Sequence, residues 1–255
     1  VFDLLQARAA AGTTALRALL EGWVDTGILE SSETGEWTWA RNHDPASVDA
    51  PALDSLWVQL WRQLSMRGQA AVAHMHALGG RLHRRDWAAL FGETDGIQEV
   101  VEELVLAGWV TAKSDGWLLL REGPYSRFCA GFIQAQSPDK RDRASYIQLL
   151  RNRSEPLSVR AKAALAGHLQ GLGAWMDSGK MWRDVASTYV GRLDALRAGE
   201  ASLRAAQVSL ELPDSADPVP MALEDVDRAL RWLEVAGDES GLRQSIALVN
   251  QIGRQ

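Results

Sequence analysis

The sequence holds a single cysteine, Cys129, so no internal disulfide can form, and the apolar run around it suits a small buried hydrophobe. Disulfide-stapled secreted scaffolds are excluded, and a reducing, cytoplasmic compartment is expected. No apolar run approaches the roughly eighteen residues of a membrane span, and the chain does not open on a signal-peptide pattern. Basic charge is also in short supply: 27 Lys and Arg stand against 33 Asp and Glu, a net charge of -6. A chain-wide field able to gather nucleic acid or an anionic membrane is therefore missing, and only a local patch could take its place.

Signatures of chemistry are equally sparse. There is no Gly-x-Ser-x-Gly elbow and no locally marked Ser, His and Asp set. The nearest approach to a phosphate-binding loop runs from Gly173 to Lys180. It has the wrong glycine spacing, is followed by Met181 rather than a hydroxyl, and interrupts helices rather than following a strand. His74 and His76 stand two apart on a helix and so point to different faces, and neither Cys129 nor the other histidines supply a metal-ligand spacing. The reading is of a chain that is not an enzyme, with no metal and no cofactor.

What is present is helix, punctuated by tryptophan-bearing hairpins. The 255 residues are 46% hydrophobic and 24% charged, enough for two cores. The opening 1–11 reads as helix interior, so a segment of a longer protein is expected. From Thr13, the positions Leu16, Leu19, Leu20 and Trp23 recur at helical spacing until Gly27. Ile28 to Ser31 and Trp37 to Trp39 then alternate as a hairpin around Glu33-Thr34-Gly35.

The same order returns later. Ile97, Val100, Val101 and Leu104 form a stripe, Gly108 stops it, and Trp109 leads through the hairpin signal Asp115-Gly116 to Trp117 and Leu120. Set side by side, ALLEGWVDTGILESSETGEWTWAR and EELVLAGWVTAKSDGWLLLR read as two related helix-plus-wing units. Between them, 42–52 is a connector rich in Pro, Asp, Ser and Ala. Helices follow at 53–63 and 69–78, with a stop at Gly79-Gly80, a short strand at 81–84 and a helix capped by Asp86 through Trp87 and Phe91. Helix, helix, strand, helix, helix, hairpin is the order of a winged helix.

Beyond Gly123-Pro124 the pattern is helical throughout, with segments expected at 126–134, 140–152, 157–172, 180–196 and 199–210. A loop at 212–220 contains three prolines. A last pair carries Leu223, Val226, Leu230 and Leu233, then Leu242, Ile246 and Val249, with Gly237-Asp238 between. Helix pairs that cannot bury their apolar faces alone imply a stacked array of tetratricopeptide-like type. The expected fold is thus mainly α, with short-winged helical units ahead of a helical repeat. Its parts are 1–41 (first helix plus hairpin), 42–52 (linker), 53–123 (winged helix) and 124–255 (repeat).

Most of the eleven tryptophans sit at helix ends and wing strands, where core packing explains them. Trp175 and Trp182 flank an expected turn at Asp177-Ser178-Gly179 and are the aromatic candidates for contact with a partner. Arg84 and Arg85, in the short basic cluster from Arg81, are the charged candidates. The helix before the second wing argues against DNA: with its stripe turned inward, Gln98, Glu99, Glu102 and Glu103 face out, and carboxylates repel phosphate.

The run ALRALLEGWVDTGILESSETGEWTW, the stretch QAAVAHMHALGGRLHRRDWAALFG and the helix ending Glu102-Glu103-Leu104-Val105-Leu106-Ala107-Gly108-Trp109-Val110 together resemble a known arrangement. It is the lid and winged-helix region of bacterial STAND-type signalling ATPases, relatives of the AAA switches. Leu172-Gly173, Met176, Gly179, Trp182 and Tyr189 add a degenerate tetratricopeptide pattern. The resemblance implies a regulatory module whose winged unit acts as a joint and whose array binds a protein or small effector. The family's nucleotide-binding core has no counterpart here, and Glu122 stands where many members carry a phosphate-sensing histidine. Two rival readings remain: a winged-helix transcription regulator, and an enzyme whose site is assembled from dispersed residues.

Overall fold

The computed structural model describes residues 29–31, 37–39, 61–92, 95–120, 138–213 and 217–254. The expected helix after Thr13, the linker 42–52, all but the end of the helix at 53–63, the helix at 126–134 and Glu122 lie outside these residues. Over the described residues the protein is mainly helical. The first hairpin is present as β1 (Leu29–Ser31) and β2 (Trp37–Trp39), antiparallel, with Leu29 opposite Trp39 and Ser31 opposite Trp37. The remaining described residues fall into two compact units, 61–76 with 83–120, and 77–82 with 138–254.

In the first unit, Ser65 opens α1 (Met66–Ala77) by accepting the Gly68 N–H on its hydroxyl at 3.0 Å, an N-cap that satisfies one of the helix's orphan donors. Then come β3 (Arg81–His83), a single 3-10 turn (Arg84–Asp86), α2 (Trp87–Phe91), α3 (Ile97–Leu106), β4 (Val110–Ala112) and β5 (Trp117–Leu120). The sheet order is β3-β5-β4, with Val110 opposite Leu120 in the antiparallel β4–β5 pair. Gly108, at φ 74°, ends α3 in the left-handed conformation that suits glycine. The chain then delivers Trp109, whose N–H donates to the Leu104 carbonyl at 2.9 Å. Gly116, at φ 89°, closes the hairpin beside Asp115, with the Lys113 N–H donating to the Trp117 carbonyl at 2.8 Å.

The stripe expected on α3 is the buried one: Val100, Val101 and Leu104 are core, with Val72, Met75, Trp87, Trp109, Val110 and Leu118. Trp109 is wholly buried and meets Trp61 edge-on at 5.9 Å. Two local expectations are corrected. Asp86 precedes α2, but its side chain makes no capping bond; it lies 3.7 Å from Arg85 instead. Glu103 does not face outward, because its carboxylate accepts both the N–H and the hydroxyl of Ser65. A carboxylate at the positive end of α1 is electrostatically favoured there. Gly68 gives it room, since a Cβ at that position would come within 2.8 Å of the Glu103 carboxylate.

The second unit strings together α4 (Lys140–Arg151), α5 (Val159–Gly171), α6 (Trp175–Val190), α7 (Ala195–Ser209), α8 (Pro218–Ala236) and α9 (Glu239–Ile252), each packed on the next. Asp139, Ser158, Asp194 and Asp238 cap four of these helices through their side chains. Pro218 starts α8, a position where its missing N–H costs nothing. Helix α7 is buried on two sides: Ala201, Ala205 and Val208 join Val159, Ala166, Trp182 and Val185, while Leu203 and Ala206 join Val226, Ala229, Leu233, Leu248 and Ile252. Small residues make this possible. A Cβ on Gly199 of α7 would fall 2.5 Å from Leu233 Cγ, and one on Gly241 of α9 would fall 2.8 Å from Leu233 Cδ2, so both glycines yield space to one leucine of α8.

The helix boundaries differ from the expected ones in an instructive way. Asp177-Ser178-Gly179 is not a chain reversal but lies within the first two turns of α6: Gly179 is buried, and Ser178 donates its hydroxyl to the Ala166 carbonyl at 2.9 Å. The stop is Gly173, at φ 76°. The next reversal falls at 191–194, inside the helix expected at 180–196, and uses Leu193 at φ 58°. Of the apolar residues expected on the last pair, Leu223, Ile246 and Val249 are 42%, 54% and 38% exposed, and alanines and Leu248 take their places in the core.

Leu193 is 88% exposed, so its side chain gains nothing to offset a backbone that disfavours any Cβ. Leu193→Gly is expected to raise stability by about 0.5–1 kcal/mol, after allowing for the greater freedom of glycine in the unfolded chain. Urea unfolding is the check, and a lowered midpoint would show that the leucine makes a contact worth more than its strain.

Residues 77–82, the last residue of α1, the turn after it and the first two residues of β3, group with this second unit. Gly79, at φ 77°, brings its backbone so near Ala161 that a Cβ would fall 2.6 Å from the Ala161 Cα, and Arg153 donates to the Arg81 carbonyl at 2.9 Å. His168 of α5 is 7% exposed, with Nε2 2.7 Å from the Ala77 carbonyl, so Nε2 carries the proton and donates. Nδ1 is buried without a partner among the described residues. Burial, with a smaller contribution from Arg143, holds the His168 pKa below the ordinary 6.5, against the opposing pull of the Ala77 hydrogen bond.

The unfolded chain therefore binds the proton first as pH falls. Stability is full above about pH 6.5 and declines below it, until the folded imidazole also titrates. Unfolding free energies measured from pH 8 to pH 5 should show this slope in the native chain and less of it in His168→Gln; equal slopes would remove His168 from the account.

Candidate binding groove

Helices α6 and α8 flank α7 and leave a groove of about 600 Å³ between them. Arg183 of α6 meets Asp225 of α8 at one end, and the lining runs forward to Val190 on α6 and Val235 on α8. The two helices therefore point the same way. Their contributing residues recur at helical spacing, Arg183, Ala186, Ser187 and Val190 on one side and Arg228, Arg231, Trp232 and Val235 on the other, with Ser202 of α7 at the floor. Because both helices run in parallel, Arg183 and Arg228 lie toward one end of the groove and Val190 and Val235 toward the other, with Arg231 and Trp232 between them.

The charged end is built on a buried carboxylate. Asp225 is 1% exposed and receives Arg183 Nε at 3.1 and 2.9 Å on its two oxygens and Arg183 Nη2 at 2.7 Å. The same Nη2 donates to the Ser209 hydroxyl at 2.7 Å, which ties α6, α7 and α8 into one network. Charge-assisted, near-bidentate bonds of this kind are short and directional. Arg228 lies 3.7 Å from Asp225 and also pairs with Glu224, while Arg231 pairs with Asp227 at 2.6 Å. These last pairs are solvated and weak.

The residues singled out in the sequence lie elsewhere. Trp182 is not exposed: it is 6% exposed, sits in the core shared by α5, α6 and α7, and is covered by the Arg204 guanidinium at 5.1 Å. Asp177–Gly179 being helical rather than a turn swings Trp182 inward. Trp175 is half-buried against the same cluster. Arg84, in the first unit, is half-buried and donates to Gln98 Oε1 at 3.3 Å, whereas Arg85 is exposed near Asp86. Neither tryptophan nor either arginine lines the groove.

The groove residues had a signal in the sequence. Arg228, Arg231 and Val235 share the face of α8 opposite Val226, Ala229 and Leu233, and Trp232 stands at the border of that face, one turn from the buried Ala229 and two from the buried Asp225.

Among the described residues no group of three or more His, Cys, Asp or Glu is placed to hold a metal ion, and no helix is long and apolar enough to cross a membrane. Comparison of the chain with protein-family models, curated proteins and solved structures finds no match.

Proposed function

We propose that the chain is a non-catalytic regulatory and protein-interaction module of a bacterial signalling protein of STAND type, in which a winged-helix unit precedes tetratricopeptide-like helix pairs and the groove between α6 and α8 receives a protein partner. The observation that carries this reading is the groove itself: two parallel helices bring arginines, an indole and valines to one trough, which the Arg183–Asp225 pair closes at one end. Stacked helical pairs present such troughs to extended ligands. A winged-helix reading of the first unit is supported by its order of helix, strand, helix, helix, strand, strand and by the sheet order β3-β5-β4. Regulation would follow by population shift, a partner favouring whichever arrangement of the larger protein offers the groove.

The test is site-specific photo-crosslinking in the native cells, with a photoreactive residue at Val235 in the groove and, as control, at Gln244 on the exposed face of α9. A protein adduct from Val235 and none from Gln244 is expected. Equal labelling from both, or none from either, would count against a groove-directed partner. The DNA-binding alternative predicts salt-dependent association with duplex DNA. The exposed Gln98, Glu99 and Glu102 of α3 make none the expected result.

A further inference from the structure

We infer that the groove takes an acidic, amphipathic peptide segment, placing a carboxylate on Arg228 and Arg231 and an apolar or aromatic side chain against Trp232, Val190 and Val235; this rests on the protein-interaction reading above. In a chain of net charge -6, the groove lining contributes Arg183, Arg228 and Arg231 against one carboxylate, Asp225. Asp225 is already committed to Arg183 and buried, so it has no accessible negative face with which to repel a ligand.

Arg228 and Arg231 are available. Their side chains are 48% and 74% exposed, and their i,i+4 partners Glu224 and Asp227 are 66% and 57% exposed, while Arg228 also lies 3.7 Å from the buried Asp225. Such i,i+4 pairs are worth little in water and are readily exchanged for the carboxylate of a ligand. Position along the groove sets the second requirement. The step from Arg183 to Val190, or from Arg228 to Val235, is seven residues, about 10 Å at the helical rise. That matches about three residues of extended peptide. A ligand with its charge at one end of such a stretch and its apolar group at the other satisfies both.

The shape favours a chain segment over a small molecule. Arg231 is 74% exposed at the side chain and Val235 71%, so the groove is an open trough. A small ligand needs most of its surface enclosed. An extended segment needs only a line of side-chain contacts.

The experiment is selection of a displayed random heptapeptide library on the intact chain, followed by calorimetry of the enriched peptides against three proteins: native, Arg228→Gln/Arg231→Gln and Trp232→Ala. Circular dichroism is used to check that both variants are folded. Enriched peptides should carry Asp or Glu near a Leu, Phe or Trp. They should lose roughly tenfold or more in affinity to either variant, and weaken as salt rises from about 0.05 to about 0.5 M. Peptides without acidic residues that still depend on Trp232 would overturn the charge assignment and leave the protein-interaction reading standing. Failure to enrich any peptide sensitive to either variant would overturn both.

Discussion

Replacing Arg183 with methionine should lower the unfolding free energy of the helical array by about 3 to 5 kcal/mol, because the loss falls on its buried partner. Asp225 is 1% exposed and would keep only the Ser209 hydroxyl at 3.4 Å and Arg228 at 3.7 Å. A carboxylate buried there would be left with one longer ion pair, and the cost of desolvating it would be offset only in part. Methionine preserves much of the volume, so the effect reads out charge rather than a cavity.

The discriminating step is the double variant Arg183→Met/Asp225→Asn. With the orphan charge removed, much of the lost stability should return, as it does when both partners of a buried pair are replaced together. Urea unfolding of the two variants is the measurement. A single-variant loss below about 1 kcal/mol would mean that water reaches Asp225 and that the pair behaves as a surface bridge.

Why this pair escapes a reading of the sequence is plain: Arg183 and Asp225 stand 42 positions apart, and nothing local to either marks the other. What is local was legible. Gly108, Asp115-Gly116 and Gly79-Gly80 are backbone demands written into the residue type, and all of them sit at positive-φ positions or closed turns. The stripe of Val100, Val101 and Leu104 is periodic and buried.

The reading fails where one residue type serves two physical purposes. Gly179 marks close helix packing and not a chain reversal, whereas Leu193 makes a reversal in a conformation for which its side chain gives no warning. Glu103 sits on the polar side of its helix yet is drawn toward the start of α1 by the N–H and hydroxyl of Ser65. The tryptophans repeat the lesson: Trp182 flanks an apparent turn and is core, while Trp232, inside an uninterrupted helix, lines the groove.

That contrast gives the second large effect. Trp109→Ala should destabilise the first unit by about 3–5 kcal/mol, the range for emptying a large aromatic from a packed core. Its indole is wholly buried and edge-on to Trp61 at 5.9 Å. Its backbone is fixed by the N–H bond to Leu104 and by the left-handed Gly108 before it, so the chain cannot readily move in to fill the void. Trp109→Phe should recover part of the loss by refilling part of the volume.

Trp232→Ala removes the same side chain from a partly buried position at the groove and should cost less stability, about 1–2 kcal/mol, with a larger share of its effect appearing in peptide affinity. Thermal and urea unfolding of the variants separate the two roles: a tryptophan that matters to folding is anchored on every side, and one that matters to recognition keeps a face open. Were Trp232→Ala the more damaging to stability, the indole would belong to the core and the apolar end of the groove would have to be assigned without it.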